Sequence, residues 1–98
     1  MARFDVYQHA TGGYLLDCQA EVLSILNTRV VVPLLPPSDG PPAIARLNPI
    51  FRISGEAMVM YTQFAASVPA RDLKARAGSL AKEYATIMNA FDMLLTGY

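Results

Sequence analysis

The residues best suited to nucleophilic chemistry in this 98-residue chain are a histidine and a cysteine, and each type occurs once. His9 and Cys18 could face each other across a β-hairpin, where an imidazolium would activate the thiolate. However, Cys18 alternates with Leu16 along a predicted strand, and a single cysteine in such a position usually behaves as a small hydrophobic residue. We therefore interpret His9 as a solvated loop residue and Cys18 as part of the core.

The other polar residues do not favour catalysis either. The eight acidic residues are dispersed, so no spacing predicts the paired carboxylates of a general acid and base. A single histidine excludes a two-histidine metal site within one chain. The segment TGGY at residues 11–14 lacks the lysine and the hydroxyl residue of a phosphate-binding loop. We expect a binding protein and not an enzyme, with no metal and no cofactor.

Short apolar segments predict an antiparallel sheet. The alternation in residues 3–8 predicts a half-buried strand, which a turn at TGG joins to a second strand at residues 14–19. Residues 29–35 predict a strand that is buried on both faces. Within it, Pro33 favours a sheet edge or a bulge because proline has no N–H to donate.

A second hairpin is predicted around Gly55, between residues 49–54 and residues 57–64. Both faces of the later strand are mostly apolar, so we expect it to be central in the sheet. Its methionines, such as Met58 and Met60, suit either a flexible binding groove or a core, and the core is the preferred interpretation.

The C-terminal half of the sequence predicts a loop, a connector and one helix. Pro36–Pro42 (PPSDGPP) predict an exposed loop, and residues 67–78 a connector with at most a turn or two of helix. Ser79 predicts the N-cap of a helix that extends to about Leu95. The expected apolar face of this helix consists of Leu80, Tyr84, Ile87, Met88, Phe91, Leu94 and Leu95. Five or more strands before one helix predict an α+β, mainly β domain, or a small barrel with a helical cap.

The residues alone leave two interpretations open for LLTGY, residues 94–98. In the first, Gly97 ends the helix in a left-handed conformation and Tyr98 contacts Met93. In the second, this terminus is a binding surface, because an aromatic residue beside a terminal carboxylate is a low-entropy anchor of the kind that interfaces favour.

Composition narrows the classes of function. Eight basic and eight acidic residues give a net charge of zero, which predicts self-association and argues against sequence-specific binding of nucleic acid. The single cysteine suits a reducing compartment. Arg3 and Asp5 interrupt the first apolar residues, so we predict no signal peptide, and no apolar run is long enough to cross a membrane. We expect one soluble cytoplasmic domain spanning residues 1–98.

Several motifs together resemble the CcdB family, the gyrase-poisoning toxins of bacterial toxin–antitoxin pairs. They are RFDVYQ (3–8), RVVVPL (29–34), LNPIFRISGE (47–56), MYTQFAASVP (60–69) and a terminal helix that closes on glycine and one further apolar residue. The similarity runs from end to end, with a change of length around the proline-rich loop. It implies an SH3-like barrel of antiparallel strands with a C-terminal α-helix.

The resemblance also implies partners and site residues. Family members are homodimers whose last three residues meet near the two-fold axis and grip the A subunit of DNA gyrase. Those positions are Thr96, Gly97 and Tyr98 in this sequence, and Met93 and Leu94 are candidate supporting residues. A disordered CcdA-like antitoxin tail neutralises such toxins by folding over them. The proline-rich loop is one guess for its contacts.

Two of the three terminal positions depart from the family pattern. Gly97 matches the family glycine, but Tyr98 replaces a branched aliphatic residue and Thr96 replaces a tryptophan that stacks on an arginine of the target. Two alternatives stay open, the first because of the shared fold alone and the second because of Thr96. One is a MazF-type ribonuclease toxin on the same barrel, and the other is a CcdB homologue that keeps antitoxin binding but has weak or lost gyrase inhibition.

Overall fold

Seven strands precede one α-helix in the computed structural model, which describes residues 2–97. The strands are β1 (Asp5–Gln8), β2 (Tyr14–Asp17), β3 (Thr28–Leu35), β4 (Ile50–Ile53), β5 (Glu56–Met60), β6 (Ala66–Pro69) and β7 (Arg76–Ser79). The helix is α1 (Tyr84–Thr96). Short 3₁₀ turns at Glu21–Leu23, Pro37–Asp39, Thr62–Phe64, Ala70–Asp72 and Ala81–Glu83 connect them.

All pairings in the sheet are antiparallel, in the order β4-β5-β3-β2-β1-β7. The long strand β3 pairs with β2 along one side, and on the other side with β6 at Thr28–Val31 and with β5 at Leu34 and Leu35. No pairing within residues 2–97 joins β4 to β7, so the sheet is a curled half-barrel. This architecture confirms the predicted mainly-β fold with one C-terminal helix, which is compatible with an SH3-like barrel.

Pro33 lies in the middle of β3, at the point where one partner strand replaces the other. Its carbonyl accepts a hydrogen bond from the Tyr61 N–H at 3.0 Å, just after β5 has ended. In an antiparallel strand the N–H and C=O of one residue point to the same side. The nitrogen of Pro33, which has no hydrogen to donate, therefore faces the gap between the end of β6 and the end of β5. Proline is therefore tolerated in a central strand, where the sequence predicts an edge or a bulge.

Both predicted hairpins are confirmed. The first closes through Gly12 and Gly13, both at positive φ. The second closes through Ser54 (φ 53°) and Gly55 (φ 82°), as expected for a two-residue turn with positive φ at both central positions. However, the first strand is not half-buried, because Asp5 is 5% exposed and its neighbours are covered on both faces.

The core lies between α1 and the concave face of the sheet. The register aligns Val6, Leu16 and Val32 on that face, and Ile87 and Ala90 of α1 are fully buried against it. Met58 and Met60 belong to the same core, and β5 is central between β4 and β3, as the sequence predicts. A smaller cluster of Tyr7, Val31 and Leu73 lies apart from this core.

The connector prediction for residues 67–78 is wrong, since this segment contains most of β6 and most of β7. Main-chain pairing organises both strands: Val68 lies opposite Arg29 of β3, and Gly78 lies opposite Val6 of β1. Each strand has only four residues, and neither presents the alternation that identifies strands in a sequence.

The strand predicted over residues 57–64 ends at Met60. Beyond it, the Tyr61 side chain is completely buried and the chain enters the Thr62–Phe64 turn. Asn48 helps to fix this turn, because its Nδ2 atom donates to the Met60 carbonyl at 3.0 Å and to Gln63 Oε1 at 2.7 Å.

The helix begins at Tyr84, five residues after the predicted cap. The Ser79 hydroxyl accepts the Ala81 N–H at 3.1 Å, but the Leu80 N–H donates to the Phe4 carbonyl at 2.8 Å, which holds residue 80 against the sheet. The predicted apolar face is only partly covered. Leu80 and Ile87 are buried, Met88 and Phe91 half-buried, and Tyr84, Leu94 and Leu95 exposed by 53%, 40% and 76%.

Candidate partner-binding surface

The end of α1 brings the predicted site residues together at the surface. Gly97 has φ 81°, and its N–H donates to the Met93 carbonyl at 2.9 Å, which is the hydrogen bond of a left-handed helix cap. The Thr96 hydroxyl donates to the Asp92 carbonyl at 2.6 Å. Tyr98 and its expected contact with Met93 lie outside the described residues.

This end of the helix, the helix tip (residues 93–97), is uncharged and largely open to solvent. Apart from its two chain neighbours, a Cβ atom added to Gly97 would meet no atom of residues 2–97 within 4 Å. Leu94 and Leu95 are exposed, while Met93 is half-buried. Large apolar side chains that a short chain leaves uncovered in a group mark a contact surface.

A second exposed apolar group lies in the connection between β2 and β3. The β2–β3 patch consists of Val22, Leu23, Ile25 and Leu26, which are 82%, 46%, 87% and 46% exposed. Sequence reasoning missed it, because four large apolar residues in five positions ordinarily indicate burial. The only available signal was that this apolar run has no alternation and directly precedes the strand at residues 29–35.

The β2–β3 patch borders α1 through the N-terminal residues. The backbone N–H of Arg3 donates to Glu21 Oε1 at 2.7 Å, and the Arg3 guanidinium donates to the Met88 sulfur at 3.4 Å. On another side, α1 packs against the Thr62–Phe64 turn, where Phe64 is 49% exposed. The helix is therefore flanked by exposed apolar side chains contributed by two other segments.

The structure does not bring His9 and Cys18 together. Val6 pairs with Leu16, so the hairpin places His9 at its turn and Cys18 at its opposite end, about five residues or roughly 16 Å away along the strands. Burial raises the pKa of the Cys18 thiol to about 12, with a further contribution from Asp17. A thiol that stays protonated in the core is not a nucleophile.

His9 lies in the open, as predicted for a loop residue. Its Nδ1 atom is 2.6 Å from the Thr11 hydroxyl oxygen. A cleft of about 430 Å³ beside it is lined also by Asp39 and Glu56, but not by Cys18. Within residues 2–97 no three histidine, cysteine or acidic side chains are grouped closely enough to hold a metal ion.

The comparison with protein families decides the classification. The family model described as CcdB protein matches residues 3–97. This chain belongs to the CcdB family. The match includes both the helix tip up to Gly97 and the β2–β3 patch. No curated protein matches the sequence.

Membership in the CcdB family identifies the chain as a toxin of a toxin–antitoxin system. At the level of the family, the partners are an antitoxin and DNA gyrase, and the family is not a known family of enzymes. Among the residues that the structure describes, none of the helices has the length and apolar character needed to cross a membrane.

Proposed function

We propose that this CcdB-family toxin binds the A subunit of DNA gyrase through the helix tip and the β2–β3 patch, and that it poisons the enzyme without chemistry of its own. The observation that carries the proposal is the uncharged, exposed tip with Gly97 in a left-handed conformation and open space beside it. A tip with no side chain at Gly97 allows a partner's backbone or side chain to approach closely.

The exposed side chains at the two segments have the properties of interface anchors. Leu95, Val22 and Ile25 are each more than three-quarters exposed, and their burial against a partner would remove a large apolar area from water. Contiguous exposed apolar side chains of this kind mark sites of protein–protein interaction. No side chain of residues 93–97 carries a charge that would have to be desolvated.

A homodimer is part of the proposal. Two copies that meet near the tips of their helices would double the apolar surface that is presented to gyrase. The zero net charge of the chain removes the long-range repulsion that keeps small proteins apart. A CcdA-like antitoxin tail would fold over the same uncovered surface and compete with gyrase for it.

The test compares Gly97→Glu with Gly97→Ala in a gyrase supercoiling assay. Both substitutions place a Cβ atom at φ 81° and share that backbone strain, whereas only glutamate adds a charge and bulk. We expect Gly97→Ala to keep most of the inhibition and Gly97→Glu to lose it, with equal melting temperatures. Undiminished inhibition by Gly97→Glu would refute the tip as the gyrase-binding site.

The same purified protein separates the alternatives. Incubation with RNA tests the MazF-type ribonuclease, for which the shared barrel is the only argument. A homologue with weakened gyrase binding is the second candidate, because Thr96 supplies no aromatic face to the target. RNA cleavage with unaffected supercoiling would replace the proposal by the first alternative. Antitoxin binding without inhibition of gyrase would replace it by the second.

A further inference from the structure

The chain begins its first strand with a strained turn. The Asp5 N–H donates to the Ala2 carbonyl at 3.1 Å, which closes a four-residue turn with Arg3 and Phe4 at its centre. Phe4 has φ 69°, a value that the third position of such a turn requires and that glycine adopts far more readily than a bulky residue. An aromatic residue at this position indicates that the surrounding contacts enforce the conformation.

Contacts with two other elements hold Phe4 in place. Its N–H donates to the Asp17 carbonyl at 2.6 Å, at the end of β2. Its carbonyl accepts the Leu80 N–H at 2.8 Å, just before α1, and its side chain is 2% exposed in the core. The turn is therefore fixed between the strand that leads into the β2–β3 patch and the segment that leads into the helix.

The same turn places the Arg3 side chain over two aromatic rings. The guanidinium carbon lies 4.7 Å from the centroid of Phe4 and 5.5 Å from that of Tyr84 in the first turn of α1. Arg3 Nε donates to the Cys18 carbonyl at 3.4 Å, and Nη2 donates to the Met88 sulfur at 3.4 Å. One side chain thus contacts the end of the second strand and two turns of the helix.

The β2–β3 patch has few other attachments. Its own turns are closed by short-range hydrogen bonds, such as that from the Ser24 N–H to the Glu21 carbonyl at 3.0 Å. The Gln19 side chain donates to the Leu23 carbonyl at 2.9 Å, and the Asn27 carbonyl accepts the Ala70 N–H at 2.7 Å. Arg3 contacts the residues that lead into this patch, because its backbone N–H donates to Glu21 Oε1 at 2.7 Å and its Nε donates to the Cys18 carbonyl at 3.4 Å, while its Nη2 reaches Met88 of α1.

We propose that Arg3 is a positioning residue that fixes the β2–β3 patch relative to α1, so that the patch and the helix tip form one preassembled gyrase-binding surface. This inference rests on the proposed function for the identity of the partner, but not for the coupling itself. A preassembled surface avoids the loss of conformational entropy that ordering a loop on binding would cost. The Arg3 side chain acts through its contacts with Phe4, Tyr84, Met88 and the Cys18 carbonyl at the end of β2.

The experiment combines amide hydrogen exchange with gyrase inhibition for Arg3→Met, Arg3→Lys and a control, Arg71→Met. Arg71 is exposed in the Ala70–Asp72 turn and makes none of these contacts. We expect Arg3→Met to accelerate exchange in residues 20–27 and 84–96 and to weaken gyrase inhibition, each by about tenfold, as expected for losing the two ring contacts. Exchange in β3, which reports on global unfolding, should stay unchanged, and Arg3→Lys should recover part of both effects because it keeps a cation above the rings.

The two readouts fail separately. Unchanged exchange in residues 20–27 and 84–96 of Arg3→Met would overturn the coupling, whatever the toxin binds. Faster exchange with unaltered gyrase inhibition would overturn the positioning role. If the unmodified protein does not inhibit gyrase while Arg3→Met still loosens both segments, the coupling is supported and only the proposed function fails.

Discussion

Thr96 stands at the position where the resemblance to the CcdB family implies a tryptophan, and the structure allows a direct substitution there. Its side chain is exposed and makes one hydrogen bond, to the carbonyl of Asp92 in its own helix. We predict that Thr96→Trp strengthens inhibition of gyrase supercoiling by about tenfold, because a ring over a target arginine contributes about 1–2 kcal/mol when desolvated. Thr96→Val removes the hydroxyl without adding a ring and should not change inhibition. If the tryptophan variant gained nothing, Thr96 would not be the cause of weakened binding.

Asp17 and Arg29 form an ion pair that is fully buried, with side chains 0% and 1% exposed. Arg29 Nε donates to Asp17 Oδ2 at 2.9 Å, while Nη2 lies 2.7 Å from the same oxygen without an aligned hydrogen bond among the described residues. The sequence does not predict this pair, because the strand pattern gives no sign of which polar residues face each other in the interior. The pair connects β2 to β3.

Removing one member of this pair should therefore be costly. We predict that Asp17→Asn lowers the free energy of unfolding by about 3–5 kcal/mol, because it leaves the Arg29 charge buried without a counter-ion. Urea denaturation measures the loss. Arg76→Met breaks the pair with Asp5 (3.2 Å), in which the arginine is 57% exposed, and should cost less than Asp17→Asn, because Asp5 keeps the hydrogen bond from the Ala2 N–H at 3.0 Å. Equal losses for the two variants would contradict the difference in burial as the cause.

At the scale of elements, the sequence predicts the strands and turns whose own residues show an apolar pattern that matches their burial. Both hairpins and β3 have apolar residues that face the core, and their turns contain glycine at positive φ. By contrast, β6 and β7 are defined by partners distant in sequence, since Ala66–Pro69 pairs with β3 and Arg76–Ser79 pairs with β1. Local propensity contains no information about such partners.

The candidate site divides in the same way. The left-handed Gly97 could be predicted, because helix termination is a local property of the chain. The β2–β3 patch could not, because its residues are apolar in sequence and become a surface only when no element covers them. The start of α1 was misplaced for a similar reason, since the contact of Leu80 with Phe4 joins residues far apart in the sequence.

The proline-rich loop is an element whose order comes from a single buried side chain. The Tyr61 hydroxyl donates to the Pro41 carbonyl at 2.8 Å, and Gly40 lies flat against the Tyr61 ring, so that a Cβ atom there would be 2.5 Å from the ring. We predict that Gly40→Ala destabilises the fold by about 1–3 kcal/mol through this overlap. Gly78→Ala is the matched control, because a Cβ atom at Gly78 meets nothing within 4 Å. Urea denaturation of the two variants measures this difference. Equal urea midpoints for Gly40→Ala and Gly78→Ala would refute the packing of this loop on Tyr61.

At the scale of the whole molecule, exposed apolar residues surround α1 while the net charge is zero. Such a surface is more typical of one protomer of an assembly than of an isolated monomer. The same surface would serve pairing of two copies, recognition of gyrase and capture by an antitoxin. Pairing of two copies can be tested separately, because it can be measured with the purified toxin alone, whereas the other two roles need gyrase or an antitoxin.

The dimer gives the last prediction. We expect sedimentation equilibrium to yield about twice the protomer mass of 10.7 kDa for the unmodified chain. Leu95→Asp should shift the mass to that of the protomer, because two helix tips at a two-fold axis would bring like charges together and desolvate them. Leu95 is 76% exposed, so the substitution leaves the core of the protomer intact.

Ile50→Asp introduces the same charge on β4 at a side chain that is 58% exposed, and it should leave the dimer unchanged. A protomer mass for the unmodified chain, or dissociation by both variants alike, would exclude pairing through the tips.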